Sequence, residues 1–377
     1  MTFTVDFDLH GMVGVRLLDA APGDVAVVAR QLGLAQTRLE REPDITLRFV
    51  DQLKESSPLR YLGIDDVAFT DNAFYLLRGS HKSRVKVQVP FQDIGNTCEI
   101  VCERGLPSVP LLISILNLTA LNHGFLPLHA SAFQCSDRGL VALGWAKGGK
   151  TEALLAFMRQ GAEYIGDEWV YFTSGGDQMA GIPEPIRLWD WHLSGLPDLR
   201  ARLNMRQRAK LFAIKGLVRA LTIAGNLAKG AAARFSRRMN HLLQRQMNVL
   251  ISPERLFGEA ACVLHGRPDV FFYIASHDSP EVIVKPADPL EIANRMVFSL
   301  EEERHDLMTA YRKFRFAFPH LRNELIEGSP SCQLAALQQV FEGKAVYSVH
   351  HPFPVDIPAL YAALHPYCRA VGEQRRC

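Results

Sequence analysis

One eight-residue segment constrains this 377-residue chain more than any other, because its glycines and lysine stand at a fixed spacing. Residues 144–151, with the letters GWAKGGKT, follow the apolar run LVAL and lead into TEALLAFMRQ, which begins at Thr151 and has the apolar pattern of a buried helix. A chain of this length and ordinary composition contains the pattern GxxxxGK[ST] by chance at roughly the one-in-a-hundred level. The pattern therefore predicts a strand, a glycine-rich loop and a helix, in that order.

A loop of this kind can bind phosphate groups. Glycines let backbone N–H groups turn toward phosphate oxygens without side-chain collisions, and the positive end of the following helix points at the same oxygens. Lys150 would reach the β- and γ-phosphates, and the Thr151 hydroxyl would ligate Mg²⁺. The sequence therefore predicts binding of ATP with Mg²⁺ by Gly144, Trp145, Ala146, Lys147, Gly148, Gly149, Lys150 and Thr151.

Two adjacent acids, Asp167 and Glu168, come 17 residues after Lys150. This distance leaves room for one helix and one returning strand, which would carry the acids back to the loop. One carboxylate would hold Mg²⁺ directly or through water, and the other would accept a proton from an attacking hydroxyl. The alternative is an acidic turn at the end of a strand.

Two further residues are candidates for the same site. His129 lies in LPLHASAF, one strand before the loop, where it would hydrogen-bond a phosphate or orient the acid pair; the alternative is a packed histidine. Arg187 follows two prolines and could clamp a transferred phosphoryl group with two parallel hydrogen bonds. Its alternative is a surface ion pair with Asp190 or Glu184. The neighbouring side chains are interpreted as core or as the lining of an acceptor pocket: Trp189, Trp191 and His192.

At these residues the sequence resembles the HPr kinase/phosphorylase family and its relatives, including kinase-like proteins of peptide-modification clusters. The shared pattern is a Leu-His strand, a short hairpin, a phosphate loop, one helix and a strand ending in two acids, within residues 126–175. Phosphoenolpyruvate carboxykinases share the broader nucleotide-binding architecture. The resemblance extends loosely through residues 184–188 and the later strands. Glu168 stands where the family commonly has Asp, and no clear match to the family's phosphorylase signature follows, which argues against phosphorolysis.

The resemblance implies an ATP-dependent phosphotransferase whose acceptor is a serine of a protein or peptide. It implies that Lys150 binds phosphates and that Thr151 binds Mg²⁺. It also implies that Asp167 is the general base, that Glu168 assists with the metal, and that His129 supports these residues without contacting the substrate. Three other functions remain open: a nucleotide-binding regulatory protein, a kinase of a sugar or another small hydroxyl compound, and a carboxykinase-like enzyme. The last is disfavoured, because an additional cluster of metal ligands is not evident in the sequence.

The expected fold is α/β, with a P-loop kinase core of the HPr kinase/phosphoenolpyruvate carboxykinase type. Residues 1–110 form an N-terminal α/β domain, and residues 111–198 form the first part of the kinase core. Residues 199–253 form a basic helical insertion. Residues 254–377 form the second part of the core with a closing helix.

The insertion differs in charge from the rest of the chain. The whole sequence has 42 Lys+Arg and 40 Asp+Glu, yet residues 199–253 contain 12 of the basic residues and none of the acids. An apolar stripe, at helical spacing, indicates an amphipathic helix: Leu211, Ile214, Val218, Leu221 and Ala228. It would pack on the acidic body or another subunit, dock on an anionic membrane surface, or bind an acidic acceptor. Sequence-specific nucleic-acid binding is not expected, because no known nucleic-acid recognition motif accompanies the basic charge.

Composition and cysteine usage place the chain in a broad class. Near-average composition excludes collagen and wholesale disorder, and charges interrupt every apolar stretch before the ~20 residues that span a bilayer. The seven cysteines are scattered without a CxxC pair and are interpreted as small apolar side chains, while His350 and His351 are interpreted as structural. With no signal-peptide pattern at the N-terminus, we expect a cytoplasmic protein, and residues 199–253 leave peripheral attachment to the inner face of the membrane open. Self-association is also left open.

Overall fold

The first half of the chain folds around a mixed sheet. The computed structural model describes residues 2–55, 57–63, 66–78, 85–227 and 229–368. Within these ranges nine strands form this sheet: β1 (Phe3–Leu9), β2 (Val13–Ala20), β3 (Gln36–Thr37), β4 (Ile45–Val50), β5 (Arg60–Leu62), β6 (Val67–Phe69), β7 (Phe74–Arg78), β8 (Val85–Gln88) and β9 (Cys98–Glu103). Their order is β3-β1-β2-β4-β9-β8-β7-β6-β5. Helix α1 (Pro22–Leu32) connects β2 to β4, which run parallel.

A buried helix joins this sheet to the second half of the chain. The run LPSVPLLISILNLTALNHG predicts one buried helix, and α2 (Leu112–Asn122) confirms it. Leu112, Ile115 and Leu116 of α2 are fully buried in the core of the first sheet. On its other side α2 contacts β10 (Phe125–Cys135), the longest strand of the second sheet in the described residues.

The second sheet is also mixed. Its remaining strands are β11 (Arg138–Leu143), β12 (Glu163–Gly166), β13 (Trp169–Thr173), β14 (Met179–Gly181), β17 (His265–Gly266), β18 (Pro268–His277), β19 (Ile283–Pro286) and β20 (Ala345–Pro352), while β15 (Ile186–Trp189) pairs separately with β16 (Asn248–Ile251). Strands β11, β18 and β20 run parallel, so their carboxyl ends meet at one edge. Helix α3 (Lys150–Met158) begins at that edge. The fold is therefore α/β, as predicted.

Helices cover both sheets. Besides α1–α3 they are α4 (Asp190–Gly195), α5 (Pro197–Ala201), α6 (Met205–Leu227), α7 (Ala231–Gln244), α8 (Pro253–Phe257), α9 (Pro289–Glu303), α10 (His305–Ala317), α11 (Glu324–Phe341) and α12 (Ile357–Leu364), with 3₁₀ turns at Phe91–Asp93, Glu259–Ala261 and His365–Cys368. Helix α10 returns to the first sheet, where the Phe314 ring lies 5.6 Å from Phe74 and 5.3 Å from Phe91. Residues from both halves of the chain therefore share one core.

The basic segment folds as a helical hairpin of α6 and α7, and β16 then returns the chain to β15. The stripe predicted from the sequence faces inward: Leu211 and Ile214 are buried, and Val218 and Leu221 are half-buried. Ala228 lies outside the described residues. The second helix of the hairpin, α7, was not indicated by that stripe. Within the described ranges, each helix is too short or too polar to traverse a bilayer.

The described cysteines are free thiols, and Cys98, Cys102 and Cys368 are buried. Burial raises the pKa of each of these three thiols to about 12. They therefore stay protonated at neutral pH and behave as small apolar groups. Cys377 lies outside the described residues.

Candidate active site

The glycine-rich loop connects β11 to α3 at the edge where the parallel strands end. Its backbone has positive φ at Gly144 (148°), Lys147 (63°) and Gly149 (116°). A Cβ at Gly144 would lie 2.4 Å from the carbonyl oxygen of Ile274, and one at Gly149 would lie 2.3 Å from Nε2 of His351. Glycine is therefore required at both positions for two reasons: the left-handed backbone and the close approach of β18 and β20.

Lys150 is the first residue of α3, and its ammonium group turns back over the loop. Nζ donates hydrogen bonds to the carbonyl oxygens of Gly144 at 3.1 Å and Trp145 at 3.0 Å. Burial lowers the pKa of Lys150, and the nearby charges of Glu168 and Asp167 oppose that shift. The loop thus holds a positive charge between its own backbone and two acids, where phosphate oxygens would meet it.

The acid pair lies at a break between two strands. Strands β12 and β13 both pair with β10, and the chain leaves the ladder between them at Asp167 and Glu168. Glu168 has φ 76°, which is uncommon for a residue with a Cβ and often marks a functional position. The backbone N–H of Ala130 donates to the carbonyl oxygen of Glu168 at 3.1 Å and fixes this break. The predicted returning strand is confirmed, and it delivers both acids to the loop.

Asp167 is almost fully buried and touches two hydroxyl groups. The Ser131 hydroxyl donates to its Oδ1, and Thr151 Oγ1 donates to its Oδ2 at 3.2 Å. Burial, and then the charge of Glu168, raise the pKa of Asp167 to about 6, although the two hydroxyl hydrogen bonds act in the opposite direction. A carboxylate with a pKa near neutrality is suited to accepting a proton.

Glu168 is held by His129, which in turn is held by a distant helix. Nε2 of His129 lies 3.2 Å from Oε2 of Glu168, and Nδ1 lies 2.5 Å from Oε1 of Glu303 at the end of α9. Although burial lowers it, hydrogen bonds to these two carboxylates leave the pKa of His129 raised. Of the two roles that the sequence suggests for His129, these contacts match the orientation of the acid pair.

Arg187 stands near the acid pair without touching it. It lies exposed on β15, and Nη1 donates to Oδ1 of Asn248 at 3.4 Å. Its charge is among the causes that lower the pKa of Glu168, after the hydrogen bond from His129. Asp190, one of the partners considered for Arg187, pairs instead with Lys215 at 2.7 Å.

A third carboxyl group lies close to these acids. The sequence indicates Glu184 only as a pairing partner for Arg187, yet its Oε1 is buried and has no hydrogen-bond partner among the described residues. Burial, then the charges of Glu168 and Asp167, raise the pKa of Glu184 to about 8. Glu184 is therefore mainly protonated at neutral pH, and the negative charge beside Lys150 comes from Glu168 and Asp167, where a bound cation would compensate it.

Several residues at the site were not predicted from the sequence. Ser131 is two positions after His129 on β10, so the alternation of a strand could have placed both on one face. Glu303 comes from α9, and nothing in its local sequence marks it. His351, interpreted as structural, makes a hydrogen bond through Nε2 to the carbonyl oxygen of Gly148 at 2.8 Å, which ties the loop to β20.

His192, considered for an acceptor pocket, is buried instead. Its Nδ1 accepts from the backbone N–H of Trp189 at 3.1 Å, and its Nε2 contacts Oε1 of Glu152 on α3, also at 3.1 Å. The Trp191 ring lies 3.8 Å from the His192 ring and 5.6 Å from Phe353. His192 therefore supports α3 from behind the loop.

The oxygen atoms at the site fit a hard divalent cation. Thr151, Asp167 and Glu168 offer hydroxyl and carboxylate oxygens, the ligands that Mg²⁺ prefers. Among the described residues, no group of three or more His, Cys, Asp or Glu side chains would hold a metal by itself. Mg²⁺ usually keeps several waters and binds through one or two carboxylates together with phosphates, so this donor set suits it.

A scan of the chain against models of protein families finds no match, and a search among proteins of curated function finds no significant match. The geometry of the site is therefore the basis for a functional conclusion.

Proposed function

We propose that this chain is an ATP-dependent phosphotransferase, with a P-loop kinase core of the HPr kinase/phosphoenolpyruvate carboxykinase type. It moves the γ-phosphate of ATP to an acceptor hydroxyl, for which a serine of a protein or peptide is the leading candidate. One observation carries the proposal: the hydroxyl of Thr151, at the start of α3, lies 3.2 Å from the buried carboxylate of Asp167. A candidate metal ligand of the loop and a candidate base thus share one position.

The residues divide the work as follows. The backbone N–H groups of residues 144–151 and the ammonium of Lys150 bind the β- and γ-phosphates. Mg²⁺, when bound, neutralises charge on the phosphates, and the oxygens of Thr151, Asp167 and Glu168 would hold it. His129 keeps Glu168 oriented. Arg187, exposed near the acid pair, has the guanidinium geometry that clamps a transferred phosphoryl group.

The reaction transfers one phosphoryl group and one proton. The acceptor oxygen attacks the γ-phosphorus, the bond from that phosphorus to the β–γ bridging oxygen breaks, and ADP leaves. The acceptor proton passes to the carboxylate of Asp167. Positioning and charge neutralisation supply most of the acceleration in reactions of this class.

The burial of Asp167 favours this function over a purely regulatory use of nucleotide. A regulatory protein needs a phosphate loop and a metal, but it does not need a proton acceptor beside them. Asp167 is only 3% exposed, and its pKa is raised to about 6. Burying a carboxylate in this way is energetically unfavourable and is typical of groups that transfer protons.

The test uses γ-labelled ATP with the purified chain, a cell lysate and serine-containing peptides. Lys150→Ala should lose both nucleotide binding and label transfer. Asp167→Asn should still bind nucleotide by calorimetry, through the loop and Lys150, and should lose transfer about 10²- to 10⁴-fold, the range for a general base. Asp198→Asn, at an exposed carboxylate paired with Arg159, is the matched control and should behave as wild type.

Three outcomes would redirect the proposal. Transfer by Asp167→Asn at the wild-type rate would remove this residue as the base. A chain that binds Mg-ATP but labels no macromolecule or small hydroxyl compound would be a regulatory protein. Label on a sugar or another small molecule, with none on protein, would change the acceptor but keep the reaction.

A further inference from the structure

The α6–α7 hairpin carries an unbalanced positive charge. Residues 199–253 contain 12 Lys and Arg and no Asp or Glu. Among the ion pairs between described residues, Lys215 is the one basic residue of this segment that meets a carboxylate, that of Asp190. The other cations of the hairpin have no acidic partner in the part of the chain that the structure describes.

The outer face of α6 is apolar. Met205, Phe212, Ile223 and Leu227 are 83%, 82%, 54% and 81% exposed. They are separated by seven, eleven and four residues, close to whole numbers of turns of a 3.6-residue helix, so they form one stripe. This outer stripe lies opposite the buried Leu211–Ile214 side of the same helix. An α-helix that is apolar on two sides has one side still to be covered.

Basic side chains flank the outer stripe of α6. Arg206 and Arg219 lie on either side of the stripe around the circumference of α6. The exposed residues Arg234 and Arg238 of α7 share a face with Arg245, the residue that follows α7. That face points away from the outer stripe, because Ser236, on the other side of α7, contacts Leu221 and Gly225, which lie on the side of α6 opposite the stripe.

A groove beside the outer stripe has the same mixed chemistry. It has a volume of about 690 Å³ and lies between α4, α5 and the first half of α6. Its walls include Met205 and Phe212 of the stripe together with Arg200, Arg208 and the ion pair of Lys215 with Asp190. An apolar groove with cations at its border fits an amphiphile that has an anionic head and a hydrocarbon tail.

From these observations we propose that the α6–α7 hairpin docks the protein on an anionic lipid surface. The outer stripe enters the boundary between headgroups and acyl chains, Arg206 and Arg219 bind lipid phosphates, and the groove accepts an acyl chain. An acidic partner protein would account for the arginines but leave the large exposed apolar side chains in contact with charged surface. Apolar side chains flanked by Arg and Lys, without acids, are the pattern of helices that lie in a membrane interface. This proposal is independent of the phosphotransferase function.

The test is co-sedimentation of the full chain with vesicles of phosphatidylcholine alone or mixed with phosphatidylglycerol. We expect binding to the anionic vesicles alone, and binding that weakens as salt rises. Removing the two arginines beside the stripe should lower the partition coefficient roughly 25-fold, at about fivefold for each basic residue near the surface. The double variant is Arg206→Gln with Arg219→Gln, and its matched control is Arg234→Gln with Arg238→Gln, on the face of α7 that points away from the stripe.

A second pair of variants tests the apolar contact. Phe212→Gln with Leu227→Gln should lower binding at least tenfold without changing the circular dichroism, because both side chains are exposed. The matched control is Phe298→Gln with Phe316→Gln, two exposed phenylalanines on α9 and α10. Equal binding to neutral vesicles, no binding, or equal losses in the controls would overturn the proposal. A concentration-dependent dimer in light scattering that the Phe212 and Leu227 changes abolish, without vesicle binding, would assign the face to a second copy of the chain.

Discussion

Replacing Asp167 by Asn should stabilise the protein at neutral pH. The buried carboxylate has a pKa of about 6, against 3.8 for the exposed group, because burial and the charge of Glu168 disfavour its ionised form. A difference of about 2 units corresponds to about 3 kcal/mol of unfolding free energy. Asn keeps the shape: its amide oxygen can accept from Ser131, and its NH₂ group can donate to the hydroxyl oxygen of Thr151.

The sign follows from proton binding. Between about pH 4 and pH 6 the folded wild type binds more protons at Asp167 than the unfolded chain does, so its unfolding free energy falls as the pH rises through this window. Asp167→Asn has no proton to lose there. The free energy of unfolding of the variant should therefore exceed that of wild type by an increasing amount up to about pH 6, and by about 3 kcal/mol at pH 8.

Urea unfolding at half-unit steps from pH 4 to pH 8, without nucleotide or metal, measures this difference. Mg²⁺ with ATP should stabilise wild type and narrow the gap at pH 8, because a cation compensates the buried charge. Asp198→Asn, which removes an exposed carboxylate, should change the free energy of unfolding by less than about 1 kcal/mol. A difference between wild type and Asp167→Asn that does not vary with pH, or a variant that is less stable at pH 8, would refute the reasoning.

Three other substitutions probe the framework around the site. Gly149→Ala should weaken Mg-ATP binding at least tenfold in calorimetry, because a Cβ would lie 2.3 Å from an imidazole nitrogen of β20; Gly161→Ala, with positive φ but open space, is its control. Phe314→Ala should cost about 3–5 kcal/mol in urea unfolding, since its ring is buried against the first sheet, and a loss below about 1 kcal/mol would contradict that packing. Glu303→Gln should lower the pKa of His129 in NMR titrations. A raised histidine pKa stabilises the fold at low pH and loses its effect as the pH rises through it, so the cost should be larger at pH 6 than at pH 9.

The local sequence was sufficient for the strand–loop–helix–strand unit around residues 138–173. The pattern GxxxxGK[ST] needs glycine for its backbone angles, and the apolar runs on either side leave few alternatives to a buried strand and a buried helix. The buried helix α2 and the inward stripe of α6 were also evident, because helical periodicity is a local property of the chain. The 17-residue spacing to the acid pair gave its approximate place, since one helix and one strand fill that length.

Other features depended on contacts between distant parts of the chain. Glu303 reaches His129 across 174 positions, and His351 reaches the carbonyl of Gly148 across 203. The burial of Glu184 and the insertion of α10 into the core of the first sheet likewise have no local signal. Periodicity shows which side of a helix or strand is apolar, whereas the identity of the neighbour is decided by packing all the elements at once. The raised pKa of Asp167 also depends on distant contacts, because the whole fold is needed to exclude water from its carboxylate.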